Sequence, residues 1–150
     1  MWTSICHIMR CRFAILAGQH YSDVSQHRYR ASQYAPWVND LKFGDIHFPF
    51  HSSHLEQFER LNPGLYVHLL EWVEDKAVIL RRASPPVGPQ KIIPILLVGD
   101  HYVGVTSLDH LLNNNKEHQH NKPHYCPLCL DPSFSTKKLS DHGLFCVQNE

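Results

Sequence analysis

Three cysteines and one histidine stand near the end of the chain at short spacings: Cys126, Cys129, His142 and Cys146, in the pattern C-x2-C-x12-H-x3-C. Two cysteines separated by two residues can bind one ion from a tight turn. His142 and Cys146 lie about one helical turn apart, so they project from the same face of a helix. Thiolate and imidazole are the ligands that Zn²⁺ prefers, and four of them close a tetrahedron. The pattern predicts a structural zinc site without an open coordination position.

The residues between the two ligand pairs suit a small ββα-like zinc finger. Phe134 and Leu139 can supply its apolar core, and Ser135 or Thr136 can cap the helix that carries the later ligands. Ser133 stands where such fingers usually have an aromatic residue, which predicts a slightly distorted hairpin.

Two other readings of the same cysteines are chance clustering and disulfide formation. Chance is disfavoured because the order of the ligands and all three spacings agree with a zinc site. Disulfides are disfavoured because the chain has an odd number of cysteines, 5, and shows no secretory signal. Zinc is therefore the cofactor that the sequence predicts.

Composition limits the kind of protein this is. The chain has 150 residues, 43% hydrophobic and 19% charged, with a formal net charge of +0, which suits one globular domain plus the finger. Neutrality argues against a broad nucleic-acid surface, so any such contact must come from a local patch. The 13 histidines will make the net charge rise below about pH 6.5.

The beginning of the chain does not read as an export signal, because Arg10 and Arg12 interrupt its apolar start and no clear cleavage site follows. No apolar run approaches the roughly 20 residues that span a bilayer. We expect a soluble intracellular protein in a reducing compartment, nuclear rather than cytoplasmic, without a membrane partner.

Upstream of the finger, the pattern predicts helices first and strands afterwards. A buried helix is expected over residues 13–20, with Cys11 near its start, followed by an irregular segment over residues 21–40. Ser53 and Glu56 have the spacing of a capping box for a second helix, which Asn62-Pro63-Gly64 ends.

The middle of the chain is strand-like, with turn signals between successive apolar runs. The expected strands cover residues 65–72, 77–80, 92–98 and 102–105. We interpret them as a four-stranded antiparallel meander whose third strand is covered on both faces, because that strand is apolar almost throughout. The fold class is therefore α+β, with short flanking helices, one of which begins at Leu108.

The predicted organisation is an α+β body over residues 1–112, a polar linker over residues 113–124 and the zinc finger over residues 125–147. His118, His120 and His124 in the linker allow a second metal site, although a solvated linker explains them better.

The finger helix suggests a nucleic-acid contact. Lys137 and Lys138 can meet phosphates, and Ser135, Lys138 and Asp141 occupy positions from which finger helices read bases. A single finger reads only about 3 base pairs, so specific binding needs help from the body or from a dimer. A protein partner, or a finger that only fastens the end of the chain, is the alternative. Weaker phosphate-contact candidates are Lys116, Lys122, Arg81 and Arg82.

The body suggests a second function from a different class, a thiol hydrolase. A cysteine at a helix start has its thiolate favoured by the helix dipole, and a histidine on a neighbouring strand can act as its base. Cys11 and His101 fit this order, and Asp100 or Asp109 can orient the imidazole. A buried cysteine is more often a small apolar residue than a nucleophile, so an inactive peptidase-like scaffold is the more natural form of this alternative.

The order of these landmarks resembles proteins encoded by Polinton or Maverick type DNA transposons and related viral elements. The resemblance covers residues 11–147 and rests on Phe48-Pro49, Leu61-Asn62, Tyr66–Leu70, Leu96-Leu97, His101-Tyr102-Val103, Leu108, Leu111-Leu112, and Tyr125-Cys126 to Cys129-Leu130. It implies a Cys-aromatic helix, a sheet, a His-Tyr strand and a terminal zinc knuckle. Phe13 and Gly104 stand where the family tends to have tryptophan, so a divergent copy or a fragment of a longer protein is expected.

Overall fold

The computed structural model describes residues 3–47, 50–84, 91–113 and 122–133, and residues 135, 137–138, 141–142 and 146; of residues 3–10 it describes only the backbone. Its helices are α1 (Thr3–His20), α2 (Leu55–Leu61) and α3 (Leu108–Leu112), with 3-10 helices at Ala31–Asp40 and Ser52–His54. Its strands are β1 (Leu65–Val73), β2 (Lys76–Arg81), β3 (Lys91–Val98), β4 (His101–Gly104), β5 (His124–Tyr125) and β6 (Pro132–Ser133).

Helix α1 is longer at its N-terminal end than the sequence pattern predicted. It begins at Thr3, so Cys11 lies in the helix interior and not near its start. The helix packs closely on the sheet at Gly18, where an added Cβ would come within 2.3 Å of a methyl carbon of Ile93. The absence of a side chain at this position lets α1 approach β3.

The segment predicted to be irregular contains the 3-10 helix Ala31–Asp40. Tyr34 is its buried residue, and its hydroxyl donates a hydrogen bond to the carbonyl of Arg28 at 2.7 Å. The ring of Trp37 stacks on His20 at the end of α1, with the ring centres 4.3 Å apart. Aromatic side chains therefore fix this segment to the body.

Helix α2 is confirmed, but its start differs from the prediction. It has no side-chain cap, and the polar contact at this point joins the His51 N–H to the His54 ring nitrogen at 3.1 Å. The helix ends before Asn62, whose buried side-chain amide accepts a hydrogen bond from Lys42 N–H and donates to two carbonyls. These bonds use both side-chain N–H donors of Asn62 and join α2 to the preceding loop.

The four central strands form one sheet, but the predicted antiparallel meander is wrong. The strand order is β2-β1-β3-β4, so β3 lies beside β1 and not beside β2. The β1/β2 and β3/β4 pairs are antiparallel, whereas β1 and β3 are parallel over Leu65–Glu71 and Lys91–Leu97. The connection from β2 to β3 therefore passes the end of β1 to reach its other edge. The sheet is mixed, because it contains one parallel and two antiparallel pairs.

The two faces of the sheet bury different partners. Side chains alternate along a strand, and Val67 and Leu69 of β1 belong to the main core that α1 and α2 cover. His68 and Leu70 point the other way and are nevertheless fully buried. The C-terminal segment is in contact with this second face, because Pro127 is hydrogen-bonded to His68. The sheet is therefore covered on both faces at β1. In β3 the neighbouring residues Ile95 and Leu96, which point to opposite faces, are also both buried.

Candidate metal centre

The predicted ligands come together. One donor atom from each of Cys126, Cys129, His142 and Cys146 lies within 4.8 Å of every other. The sulfur atoms of Cys126 and Cys146 are 3.8 Å apart, and Cys129 sulfur is 3.2 Å from the Nε2 of His142. A tetrahedron with Zn–S bonds of about 2.3 Å has sulfur–sulfur edges of about 3.8 Å. The cluster therefore has the size that one tetrahedral metal ion requires.

The first two ligands are held by a short hairpin. Strands β5 and β6 pair through His124 with Ser133 and Tyr125 with Pro132. Inside the hairpin, Cys126 N–H donates to the Asp131 carbonyl at 3.0 Å, and Leu130 N–H donates to the Cys126 carbonyl at 2.8 Å. Leu130 has φ +62°, an uncommon conformation for this residue type, and its side chain is buried. This turn directs both thiols toward the same point, as the C-x2-C spacing predicted.

The chemistry of the donor set fits a thiophilic metal ion. The three cysteines are free thiols, and a distance of 3.8 Å between two sulfur atoms is far from the disulfide length of about 2.05 Å. Burial raises the pKa of the Cys129 thiol, although a hydrogen bond from the backbone of Asp131 opposes the rise. Burial likewise raises the pKa of Cys146. A bound cation stabilises the thiolate form of each cysteine that coordinates it, so metal binding would be accompanied by the release of thiol protons.

The segment that carries the last two ligands contains short helical stretches. The Ser135 hydroxyl accepts a hydrogen bond from Lys138 N–H at 3.0 Å, as expected for the residue that caps a helix. Helical turns occur at residues 137–138 and 141–142. Phe134, Thr136 and Leu139 lie outside the described residues, so the ββα fold stays a prediction.

A buried histidine of the sheet contacts the metal-binding hairpin. His68 is 0% exposed, and its Nδ1 accepts a hydrogen bond from Ala83 N–H at 2.8 Å. An imidazole that accepts at Nδ1 carries its proton on Nε2, so Nε2–H donates to the Pro127 carbonyl at 3.0 Å. Pro127 lies between the first two ligands. His68 is thus a positioning residue that joins the sheet to the ligand loop.

Arg82 holds the same loop from the end of β2. Its Nε donates to the carbonyl of the ligand Cys129 at 2.9 Å, and its guanidinium lies 4.0 Å from the Asp131 carboxylate. Both side chains of this ion pair are exposed, so it contributes little to stability. The hydrogen bond to the ligand residue itself fixes the loop more directly.

Helix α3 fixes the entry to the hairpin. Both carboxylate oxygens of Asp109 accept hydrogen bonds, one from Tyr125 N–H at 2.7 Å and the other from the His124 ring at 2.8 Å. Asn113 donates its side-chain N–H to the Pro123 carbonyl at 2.8 Å. These contacts join the predicted body to the predicted finger. The division into body, linker and finger itself stays a prediction.

Burial lowers the pKa of His68 below its usual 6.5, and the nearby Arg82 and Arg81 act in the same direction; the carbonyls of Pro127 and Leu128 oppose them. Because protonation is harder in the folded state, the stability contributed by neutral His68 is present above about pH 6.5 and falls below it. We expect the free energy of unfolding of the zinc-loaded chain to decrease toward pH 5, by at most about 1.4 kcal/mol per pH unit from this group.

Urea unfolding at a series of pH values checks this dependence. His68→Gln should remove the His68 part of the slope, whereas His47→Gln, at an exposed position, should leave the slope unchanged. Equal slopes in the wild type and His68→Gln would contradict the assignment.

The two residues of the thiol hydrolase alternative are not brought together. Cys11 is 0% exposed inside α1, and burial raises its pKa to about 12, so the dipole at the helix start does not activate it. On β4, Tyr102 packs against the main core and Gly104 faces α1. His101 alternates with Tyr102 and points to the opposite face of the sheet, where it lies 3.0 Å from Asp100. Asp109 is engaged with the hairpin.

Other sequence-based candidates have structural partners. The guanidinium of Arg81 donates two hydrogen bonds to the Glu59 carboxylate, at 2.8 and 2.7 Å. Because it is engaged in this way, Arg81 is a poor candidate for contacting phosphate. His124 is paired with Asp109, and Lys122 is exposed. The second metal site stays untested, because His118 and His120 lie outside the described residues, as does Lys116.

Sequence reasoning missed His68 as a part of the site. Its signal was weak: one histidine inside the apolar run of β1, a position at which histidine most often only fills space in a core. Its role in positioning the ligand loop becomes visible only from its hydrogen-bond partners, Ala83 and Pro127.

None of the helices in the described part of the chain is long and apolar enough to cross a membrane. No protein family, curated protein or solved structure was found to match the chain, and so no relative identifies it as a transposon or viral protein.

Proposed function

We propose that this chain is a zinc protein in which Cys126, Cys129, His142 and Cys146 bind one Zn²⁺ ion. The observation that carries the proposal is the approach of four donor atoms, from three thiols and one imidazole, to within 4.8 Å of one another. Four protein ligands leave no position for a substrate or water, so the centre is structural. Thiolate-rich sets select zinc over hard cations such as Mg²⁺ or Ca²⁺.

The ion would hold the C-terminal hairpin against the second face of the sheet. Cys126 and Leu130 are 1% exposed, although they belong to a hairpin whose strands have only two residues each. So small a hairpin is not stable alone. Metal bonds on one side, and the hydrogen bonds from His68 and Arg82 on the other, together supply the missing stability.

We further propose that the zinc-bound segment contacts nucleic acid. Lys137 and Lys138 are both exposed beside the ligand His142, where their ammonium groups can reach phosphates. Ser135 is engaged as the cap of this turn, so a base contact from its hydroxyl is less favoured than phosphate contacts from the lysines. The proposal therefore predicts binding that depends on salt more than on sequence.

The first test measures zinc per chain by elemental analysis after reduction and dialysis, with one equivalent as the expected result. Binding to labelled duplex and single-stranded DNA and RNA is then compared at about 50 and 200 mM salt. Changing Lys137 and Lys138 together to glutamate should weaken binding at least tenfold and leave the zinc content unchanged. The matched control changes Lys42 and Lys76, exposed lysines elsewhere, to glutamate. Equal loss in both double variants would contradict a contact at the zinc segment.

We also propose an element-encoded origin, which rests on the resemblance to Polinton or Maverick type proteins. A mobile origin predicts that closely similar coding sequences recur at unrelated positions of the source genome. A single copy at one conserved position would contradict it.

A further inference from the structure

A cavity lies on the helix side of the sheet, apart from the metal centre. Its volume is about 590 Å³, within the range of small-molecule sites. It is bounded by α1, the segment that follows α1 and the outer end of β4. Aromatic side chains dominate its wall: Phe13, Tyr21, Tyr29, Tyr34 and Tyr102.

One cation lines this aromatic cavity. The guanidinium of Arg28 lies over the Tyr21 ring, 4.8 Å from its centre, and its Nε donates to the Val24 carbonyl. The Tyr34 hydroxyl donates a hydrogen bond to the backbone carbonyl of Arg28. These contacts fix the position of Arg28, yet in the described part of the chain it forms no ion pair with a carboxylate. Its terminal nitrogens therefore remain available to an anion.

Tyr29 stands at the mouth of the cavity. Its side chain is 79% exposed, the most exposed large hydrophobic residue described. The guanidinium of Arg30 lies 5.6 Å from its ring centre and adds a second positive charge at the entrance. An exposed ring with one cation over it, in a cavity that Arg28 also lines, is a surface on which a flat aromatic ligand with a negative charge can stack.

We propose that this cavity binds a nucleoside phosphate, with the base against the tyrosine rings and the phosphate on Arg28. The volume, the planar aromatic wall and the unpaired cation each match one part of that ligand. A purely apolar ligand would offer no acceptor to the terminal guanidinium nitrogens of Arg28. The same chemistry is present in a free nucleotide and in an unpaired nucleotide of a single strand. The proposal does not depend on zinc, because none of the lining residues belongs to the metal centre.

The test titrates the full-length, zinc-loaded chain with each nucleoside monophosphate and with short single strands, and follows the heat of binding. The nucleoside without phosphate should bind at least tenfold more weakly than the monophosphate. Arg28→Gln should weaken binding at least tenfold, while Arg60→Gln, an exposed arginine on α2, should not. Tighter binding of the single strand would identify an unpaired nucleotide as the source, and equal binding a free nucleotide.

A blocking variant guards against misfolding as the cause of lost binding. Ala31 lines the cavity at an exposed position, so Ala31→Trp fills the space and leaves Arg28 in place. It should abolish nucleotide binding without changing the melting temperature or the zinc content. The proposal is overturned if no monophosphate or strand binds, or if binding survives both Arg28→Gln and Ala31→Trp. Binding that is lost in the Lys137/Lys138 double variant instead would place the nucleotide at the zinc segment and also overturn it.

Discussion

Replacing Cys126 by serine is expected to abolish zinc binding and to release the C-terminal hairpin from the sheet. Cys126 is the most buried of the four proposed ligands, and serine offers a poor ligand in place of a thiolate. Metal binding contributes about 10–16 kcal/mol to the folding of zinc-finger peptides, so loss of one of four ligands removes most of what stabilises so small a unit. Zinc content should fall from one equivalent to none.

Release of the hairpin has a second readout on the sheet. The amide of Ala83 is hydrogen-bonded to His68, which the hairpin covers, so its hydrogen exchange should become faster. Amides of β3 that are hydrogen-bonded to β1 in the middle of the sheet should exchange more slowly than this one. Global unfolding would accelerate both groups equally.

Two variants separate the loss of a ligand from a general effect of removing cysteine. Cys146→His should keep one zinc, because imidazole is also a zinc ligand at the last position of such fingers. Cys11→Ala should keep one zinc although it lowers stability by leaving a space in the core. A Cys126→Ser protein that still holds one equivalent of zinc after dialysis would contradict the assignment of the site.

The ligand cluster could be predicted from the sequence because its geometry is local. The spacing of Cys126 and Cys129 suits a tight turn, and the spacing of His142 and Cys146 is about one helical turn. The strands of the body were likewise found within one or two residues, because apolar runs between turn signals identify them. Glu74 and Asp75, both at positive φ, form the expected turn between β1 and β2.

The pairing of strands could not be read from the same signals. A sequential meander and the observed order β2-β1-β3-β4 use the same strands and differ in whether β3 joins the free edge of β2 or the free edge of β1. That choice is made by packing between residues far apart in the chain. Leu69 of β1 and Ile95 of β3, for example, are paired between these two strands and both belong to the main core. The predicted place of Cys11 near a helix start is wrong for a different reason. The helix-forming pattern is clear only from residue 13 onward, whereas α1 begins at Thr3.

The attachment of the metal loop to the sheet was also beyond sequence reasoning. His68 and Pro127 are 59 residues apart, and Arg82 and Cys129 are 47 apart. Such contacts depend on the whole fold. Asp109 of α3 and Asn113 directly after it likewise form hydrogen bonds with the start of the hairpin, and no spacing in the sequence predicted these contacts.

Glu59→Ala is expected to lower the free energy of unfolding by about 3 kcal/mol, because it leaves a partly buried charge without its partner. The Glu59 side chain is 9% exposed and that of Arg81 is 26% exposed. The carboxylate accepts two hydrogen bonds from Arg81 and one from Val67 N–H at 3.0 Å. Urea unfolding measures the loss. Glu56→Ala, at an exposed position of the same helix, should change stability by less than about 0.5 kcal/mol.

The effect of Glu59→Ala should extend to the metal centre on the other side of the sheet. Arg81 is held on the α2 side by Glu59, and the next residue, Arg82, points the opposite way and binds the carbonyl of Cys129. Freeing Arg81 loosens the end of β2 and with it the Arg82 contact, so zinc affinity measured by competition with a chelator should fall severalfold. The double variant Glu59→Leu/Arg81→Met removes both charges and should recover part of the stability. Unchanged zinc affinity in Glu59→Ala would contradict this coupling. It would mean that the hydrogen bond from Arg82 to Cys129 does not depend on the ion pair between Arg81 and Glu59.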